Sequence, residues 1–166
     1  MTSAGAPLTP TVTVVTDAGF DLLGRLLQLY LYDFSEHAGY DVDERGEYHY
    51  AWLDAYRDEA DRHAYLFRVG AHPAGFALVR RGEPTTMAEF FVLRKYRRGG
   101  VGTTAARQLL AMLPGTWSIS QLASNRAATE FWRRAIPVPF EEITHADGHM
   151  EQRFTSPRPQ RPAGHR

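Results

Sequence analysis

Between Phe90 and Leu110 the chain reads FFVLRKYRRGGVGTTAARQLL. A run of strand-forming residues meets a basic, glycine-rich turn, and the turn opens a helix. The first N–H groups of a helix have no partner within it, and the positive end of the helix dipole lies behind them. Such a strand–turn–helix junction is an anion site. Arg94, Lys95, Arg97 and Arg98 add positive charge on the approach. The stretch is built to hold phosphate, and it fixes a sheet edge beside a helix N-terminus.

The rest of the chain supplies the sheet. Thr11 to Val15 alternates threonine and valine and predicts a strand. The apolar spacing of three to four through Leu22, Leu23, Leu26, Leu27, Tyr30 and Phe34 predicts a helix over 21–37. Residues 38–50 lack periodicity and read as a loop, followed by a short helix over 52–60. Strands are expected at 64–69, 75–80 and 87–93, the first two joined by the turn Gly70-Ala71-His72-Pro73-Ala74. A helix over 100–112 stops before Pro114, a strand covers 117–122, and a helix covers 125–134. Two late strands fall at 140–143 and 150–154. This order predicts an α+β fold with a mixed sheet rather than a regular β-α-β alternation. At 166 residues it is one domain, over 11–155, with disordered ends at 1–10 and 156–166.

Three phosphate-binding patterns compete for the turn. A P-loop needs a lysine after its last glycine, and here Gly102 is followed by Thr103. A dinucleotide fingerprint fits the letters Gly100-x-Gly102-x-x-Ala105. It requires a first parallel strand and a ribose-binding acid about 20 residues on, and the next strand, Trp117 to Gln121, carries no acid. The third pattern uses every residue. Arg97-Arg98-Gly99-Gly100-Val101-Gly102 matches Arg/Gln-x-x-Gly-x-Gly/Ala, and Asn125-Arg126-Ala127-Ala128-Thr129-Glu130-Phe131-Trp132 resembles Asn-x-x-Ala-x-x-Phe-Tyr, with Trp132 in the last place. With these two signatures and its element order, the chain resembles the GNAT superfamily of N-acetyltransferases from about Thr11 to Phe154.

The resemblance implies a mostly antiparallel sheet of six to seven strands, about four helices, and a V-shaped gap between strands 4 and 5. It implies acetyl-CoA as co-substrate and no metal. The pantetheine arm would pair with the backbone of Phe90, Phe91 and Val92. The pyrophosphate would sit on the amides of Arg98, Gly99, Gly100, Val101, Gly102 and Thr103, with Arg97 beside them. Asn125 and Phe131 would complete the donor site. Glu89 is the one acid on the fourth strand and would deprotonate the acceptor amine. Ala88-Glu89-Phe90-Phe91-Val92 also resembles the polyamine-acetylating branch of the family. The chain departs from the family at Trp132, where a thiolate-protonating tyrosine is usual, and an indole N–H is no useful acid. Tyr30, Tyr32 and Tyr96 are the alternative acids considered, and Trp132 itself suits a packing role.

Charge points to the acceptor. From Asp33 to Asp61 there are ten acids, opposed by Arg45 and Arg57 alone. An acidic segment beside an amine site favours a cationic small molecule such as a polyamine-like metabolite or an aminoglycoside-type antibiotic. Asp33, Glu36 and the loop 41–47, with Tyr48 and Tyr50 stacking on the ligand, are the expected acceptor contacts. A protein N-acetyltransferase and a catalytically silent acetyl-CoA sensor are the rival readings. The formal net charge of zero weighs against a nucleic-acid partner. No run approaches the ~20 apolar residues of a membrane span. The absence of cysteine excludes disulfides and thiolate ligands and is compatible with a cytoplasmic monomer or homodimer. The seven histidines show no ligand pairing on a helix, which argues against a metal hydrolase.

Overall fold

A computed structural model describes residues 8–159; the expected disordered ends lie mostly outside them. The order is β1 (Thr11–Val14), α1 (Phe20–Ala38), α2 (Leu53–Asp58), β2 (Arg62–Val69), β3 (His72–Arg80), β4 (Thr85–Val92), α3 (Val101–Met112), β5 (Gly115–Gln121), α4 (Arg126–Ala135), β6 (Glu141–Thr144) and β7 (Met150–Ser156). The strands form one seven-stranded sheet in the order β1-β2-β3-β4-β5-β7-β6. Only the β4–β5 pair is parallel. This is the mixed α+β architecture that the element order predicts.

The helices cover opposite faces of the sheet. α1 buries Phe20, Leu23, Leu26, Leu27, Tyr30 and Leu31 against Leu66, Phe76, Leu78 and Phe91. It ends at Gly39, which takes the left-handed conformation (φ 66°) and donates its N–H to the Ser35 carbonyl. α3 buries Val101, Ala105, Ala106, Leu109 and Leu110 on the other face, where Trp132 and Ala135 of α4 join the same core.

Several boundaries differ from the sequence reading. The β2–β3 connection is the short turn Gly70-Ala71, since Val69 already pairs with His72. Pro73 reads as a turn residue, yet it sits in β3 beside a register shift, where a missing N–H is tolerated. Pro10 is buried and its carbonyl accepts from Gln108 Nε2 at 3.1 Å, so chain order begins before β1. At the other end Ser156 belongs to β7, is buried, and donates to the Leu110 carbonyl at 2.7 Å.

One irregularity sets the site. Leu78 pairs with Glu89 and Val79 with Met87, which leaves Ala88 as an extra residue in β4. A bulge of this kind reverses the facing of everything beyond it. Met87 packs in the core beneath α3, whereas Glu89 and Phe91 turn to the α1 face.

Candidate functional site

β4 and β5 pair only at Thr85–Trp117 and Thr86–Ser118 and then separate. From Met87 to Val92, β4 has β3 on one edge and an open edge on the other. Open strand edges carry N–H and C=O groups that require partners. The opening is the V-shaped gap expected between strands 4 and 5. A cleft of about 660 Å³ fills it, walled by α1, by Phe90–Val92, by the turn after β4 and by α4.

The turn is shaped by two left-handed residues, Arg98 (φ 64°) and Gly100 (φ 82°). Gly100 caps α3, and the first bond of the helix runs from Thr104 N–H to its carbonyl. The N–H groups of Val101, Gly102 and Thr103 therefore have no partner within the helix. A Cβ on Gly99 or Gly100 would meet no protein atom within 4 Å, so the turn faces open space. Gly102 has a different reason to lack a side chain: its Cβ would lie 3.1 Å from Phe131 and 3.4 Å from Val92. A bare backbone cradle at a helix N-terminus fits the diphosphate of a CoA thioester, and the open β4 edge fits its amide-bearing arm.

The basic residues are partly spoken for. Arg97 donates from Nε to the Val92 carbonyl at 2.8 Å and from its terminal nitrogen to Asp33 at 2.7 Å. Arg94 donates to the other Asp33 oxygen at 2.6 Å. Burial raises the Asp33 carboxyl, but the two arginines outweigh it, so its pKa lies below the ordinary value. Asp33 lines the cleft as expected of an acceptor contact, but its charge is met by the cradle's own arginines.

Other members of the acidic run are also satisfied locally. Asp43 accepts from the backbone N–H groups of Arg45 and Glu47, and Arg45 pairs with both acids. Glu59 pairs with Arg62 and Asp61 with Arg80. Glu36 lines the cleft, and its ion-pair partner among the described residues is His37, at 3.4 Å. Tyr48 lies outside the cleft, where its backbone exchanges two hydrogen bonds with Gln28 and its side chain lines a second pocket of about 230 Å³. Tyr50 lines that second pocket as well, and its hydroxyl donates to Glu89 at 3.2 Å. Neither tyrosine lies on the cleft wall, where the sequence reading has them stack on an acceptor.

Glu89, half-buried on β4, accepts hydrogen bonds from Tyr30 and Tyr50. Burial pushes its pKa up, and the two hydroxyls oppose that only in part. Burial and the neighbouring carboxylate raise the Tyr30 and Tyr50 phenols as well. Of the three tyrosines considered as acids, Tyr32 is exposed, Tyr96 is buried in the core on the α3 side, and Tyr30 lines the cleft. Trp132 packs edge-on against Phe90 and Phe131, with both ring centroids 5.0 Å away. Asn125 caps α4, its Oδ1 accepting from the Ala128 N–H at 3.1 Å, and lines the cleft. Phe131 stacks on Phe90 at 5.4 Å and walls the cleft, whereas the Val101 side chain is in the core and only its N–H can serve.

The sequence reading missed Phe34, His37, Ala127, Ala128 and Arg134 on the cleft wall. The helical spacing of Tyr30, Asp33, Phe34 and His37 puts them on one face and was the available signal.

An open strand edge and a bare helix N-terminus face one cleft, and the Glu89 carboxylate meets Tyr30 of its wall. Residues 25–136 match the Acetyltransferase (GNAT) family. The chain belongs to that family, and its activity class is acetyl-CoA-dependent N-acetyl transfer. Among solved structures it is similar to an acetyltransferase from Thermus thermophilus, with 17% identity, TM-score 0.71, and coverage of 90% of this chain and 98% of that one. It is also similar to the aminoglycoside acetyltransferase AAC(6')-Ib in complex with coenzyme A, with 16% identity, TM-score 0.64, and coverage of 88% and 94%. A spermidine N-acetyltransferase from Vibrio cholerae in complex with CoA and spermine gives 9% identity, TM-score 0.60, and coverage of 89% and 95%. A comparison with curated proteins returns no match. Among the described residues no helix is long and apolar enough to cross a membrane.

Proposed function

We propose that the chain acetylates a primary amine on a small cationic molecule. The observation that carries this reading is the position of Glu89, a carboxylate with a raised pKa directly under an open strand edge. A carboxylate at that place, with its charged form disfavoured by burial, suits removal of a proton from an ammonium. In this reading the backbone of Phe90–Val92 aligns the pantetheine arm. The amides of Arg98–Thr103 hold the diphosphate, with Arg97 beside it, and Asn125 and Phe131 bound the acyl end.

The acceptor lies between α1 and α4. Glu36 supplies the charge there, and the faces of Tyr30, Phe34 and Trp132 supply apolar and cation–π contact. Asp33, Asp43, Glu47, Glu59 and Asp61 all pair with arginines. Of the two acids of the run on the cleft wall, Glu36 is the one without an arginine partner, so the local charge for a cation falls to it and to the aromatic wall. The similar structures bound to spermine or named for aminoglycosides make those two amine classes the first to try.

The test is thiol release from acetyl-CoA with a panel of polyamines, aminoglycosides and a peptide with a free N-terminus. Turnover on a small cationic amine is the expected result. Turnover on the peptide alone replaces this acceptor class with a protein N-terminus. Calorimetric binding of acetyl-CoA with no turnover on any amine supports the silent binding module instead.

A further inference from the structure

Tyr30 lines the cleft, and half-buried Glu89 meets it from β4. The Tyr30 hydroxyl donates to one Glu89 oxygen and the Tyr50 hydroxyl to the other. Among the described residues lining the cleft, Tyr30 is the only tyrosine. Its ring is fixed by Phe34, stacked at 5.4 Å, and by Phe76 and Phe91, edge-on at 5.8 and 5.7 Å. We infer that the Tyr30 hydroxyl is a catalytic relay that carries protons between the reacting atoms in the cleft and Glu89, with Tyr50 positioning the carboxylate from the far side. This rests on the acetyl-transfer reading above.

The arrangement has a chemical rationale. A carboxylate in direct contact with an ammonium stabilises its charged form and so opposes deprotonation. An intervening phenol weakens that contact and still conducts a proton. An acceptor ammonium must shed two protons to become an amide. One moves from nitrogen to the Tyr30 oxygen as the Tyr30 proton moves to Glu89. The nitrogen lone pair then forms the N–C bond, the C–S bond breaks, and its electron pair leaves on sulfur. The second nitrogen proton goes to solvent. Glu89 returns its proton through Tyr30 to the sulfur, which yields the thiol and restores the carboxylate. One proton is released per turnover, and the indole of Trp132 is never required as an acid.

The titratable groups facing Tyr30 are Glu89 from β4 and Tyr50 and Tyr40 from the segment between α1 and α2; Asp33, Glu36 and His37 share its helix and the cleft. Tyr50 in turn faces Tyr56 of α2 and Arg62 of β2. The test compares wild type, Tyr30→Phe and Glu89→Gln on an amine that wild type acetylates. Tyr30→Phe is expected to lower kcat roughly a hundredfold, to leave the acetyl-CoA KM within about twofold, and to remove the limb of the pH profile that Glu89→Gln also removes. A readout independent of turnover is the infrared titration of the Glu89 carboxyl, assigned by Glu89→Gln. In Tyr30→Phe it moves to higher pH, because a hydrogen bond favouring the ionised form is gone.

A Tyr30→Phe protein with near-normal kcat and the wild-type pH profile overturns the relay and leaves acetyl transfer standing. A wild type without turnover on any amine overturns both. If Tyr30→Phe does not fold, 3-fluorotyrosine at position 30 keeps the bond and acidifies the hydroxyl. An unshifted pH profile in that protein overturns the relay.

Discussion

Arg97 and Asp33 form an ion pair at 2.7 Å that ties α1 to the turn before α3. Asp33 also holds Arg94 at 2.6 Å, so one carboxylate restrains two of the cations on the approach to the cradle. Replacing Asp33 with asparagine removes a negative charge from the mouth of an anion site. Arg97 keeps its bond to the Val92 carbonyl and stays in place. At separations near 10 Å in a solvated cleft the gain is worth about a factor of two. Asp33→Asn is therefore expected to tighten acetyl-CoA binding about twofold at low salt, with the gain vanishing above roughly 0.5 M salt. Titration calorimetry at two ionic strengths measures it. Weaker binding at both would mean that Asp33 acts by ordering Arg97.

Glu89 is held in an environment that disfavours its charge. Its folded-state pKa lies above the unfolded value, so the folded protein binds this proton more tightly than the unfolded chain does. The resulting stabilisation is present below the ordinary carboxylate range, near pH 4.3, and is lost as the pH rises through the raised pKa. Above its raised pKa the wild type carries a partly buried negative charge that Glu89→Gln lacks. The variant should therefore melt at or above the wild-type temperature at pH 8, with the difference shrinking toward pH 4, while its turnover falls. Thermal denaturation across pH checks the sign. A melting difference that does not change with pH would contradict the assignment.

Much of this site was legible in the sequence because local chemistry dictates it. Gly100 takes a left-handed conformation at the mouth of α3, and the glycine pattern announces it. The apolar face of α1 follows from its helical spacing, whereas the caps at Gly39 and Asn125 were not read from the sequence. What else escaped was set by contacts between distant residues. Tyr30 and Glu89 are 59 positions apart, and Asp33 and Arg97 are 64 apart. The acidic run read as a free charged surface because composition does not show that Asp43, Glu59 and Asp61 have arginine partners. The Ala88 bulge escaped for another reason. Strict alternation would put Met87 and Glu89 on one face, and the extra residue separates them.

Two glycines separate fold from binding. Gly75 of β3 approaches β4 so closely that a Cβ would fall 2.0 Å from the Phe91 carbonyl oxygen. Backbone must move to admit it, so Gly75→Ala should cost about 3 kcal/mol and lower Tm by roughly 6–12 °C. It also displaces Phe91 and Val92 from the open edge, so acetyl-CoA binding should fail with stability. Gly99 meets nothing within 4 Å, and its φ is not left-handed. Gly99→Ala should leave Tm within about 2 °C and weaken acetyl-CoA roughly tenfold by placing a methyl group in the cradle. Differential scanning fluorimetry with and without acetyl-CoA distinguishes them. Equal affinity in Gly99→Ala would move the diphosphate away from this turn.

Glu36 is the remaining acid on the cleft wall, in no ion pair with an arginine among the described residues, and its carboxylate is largely exposed, 74% accessible. An exposed single charge attracts a cation weakly, by about 0.5–1 kcal/mol. Glu36→Gln should accordingly raise the acceptor KM about two- to fivefold and leave both kcat and the acetyl-CoA KM near wild type, the pattern of a lost ground-state contact. The acceptor KM of the wild type should rise with salt over the range where the Debye length falls below about 10 Å, and that of Glu36→Gln should rise less. Steady-state kinetics at several salt concentrations measures both slopes. Parallel slopes would show that Glu36 does not hold the cation and would assign that task to the aromatic faces of Tyr30, Phe34 and Trp132, whose hold on a cation does not depend on this carboxylate.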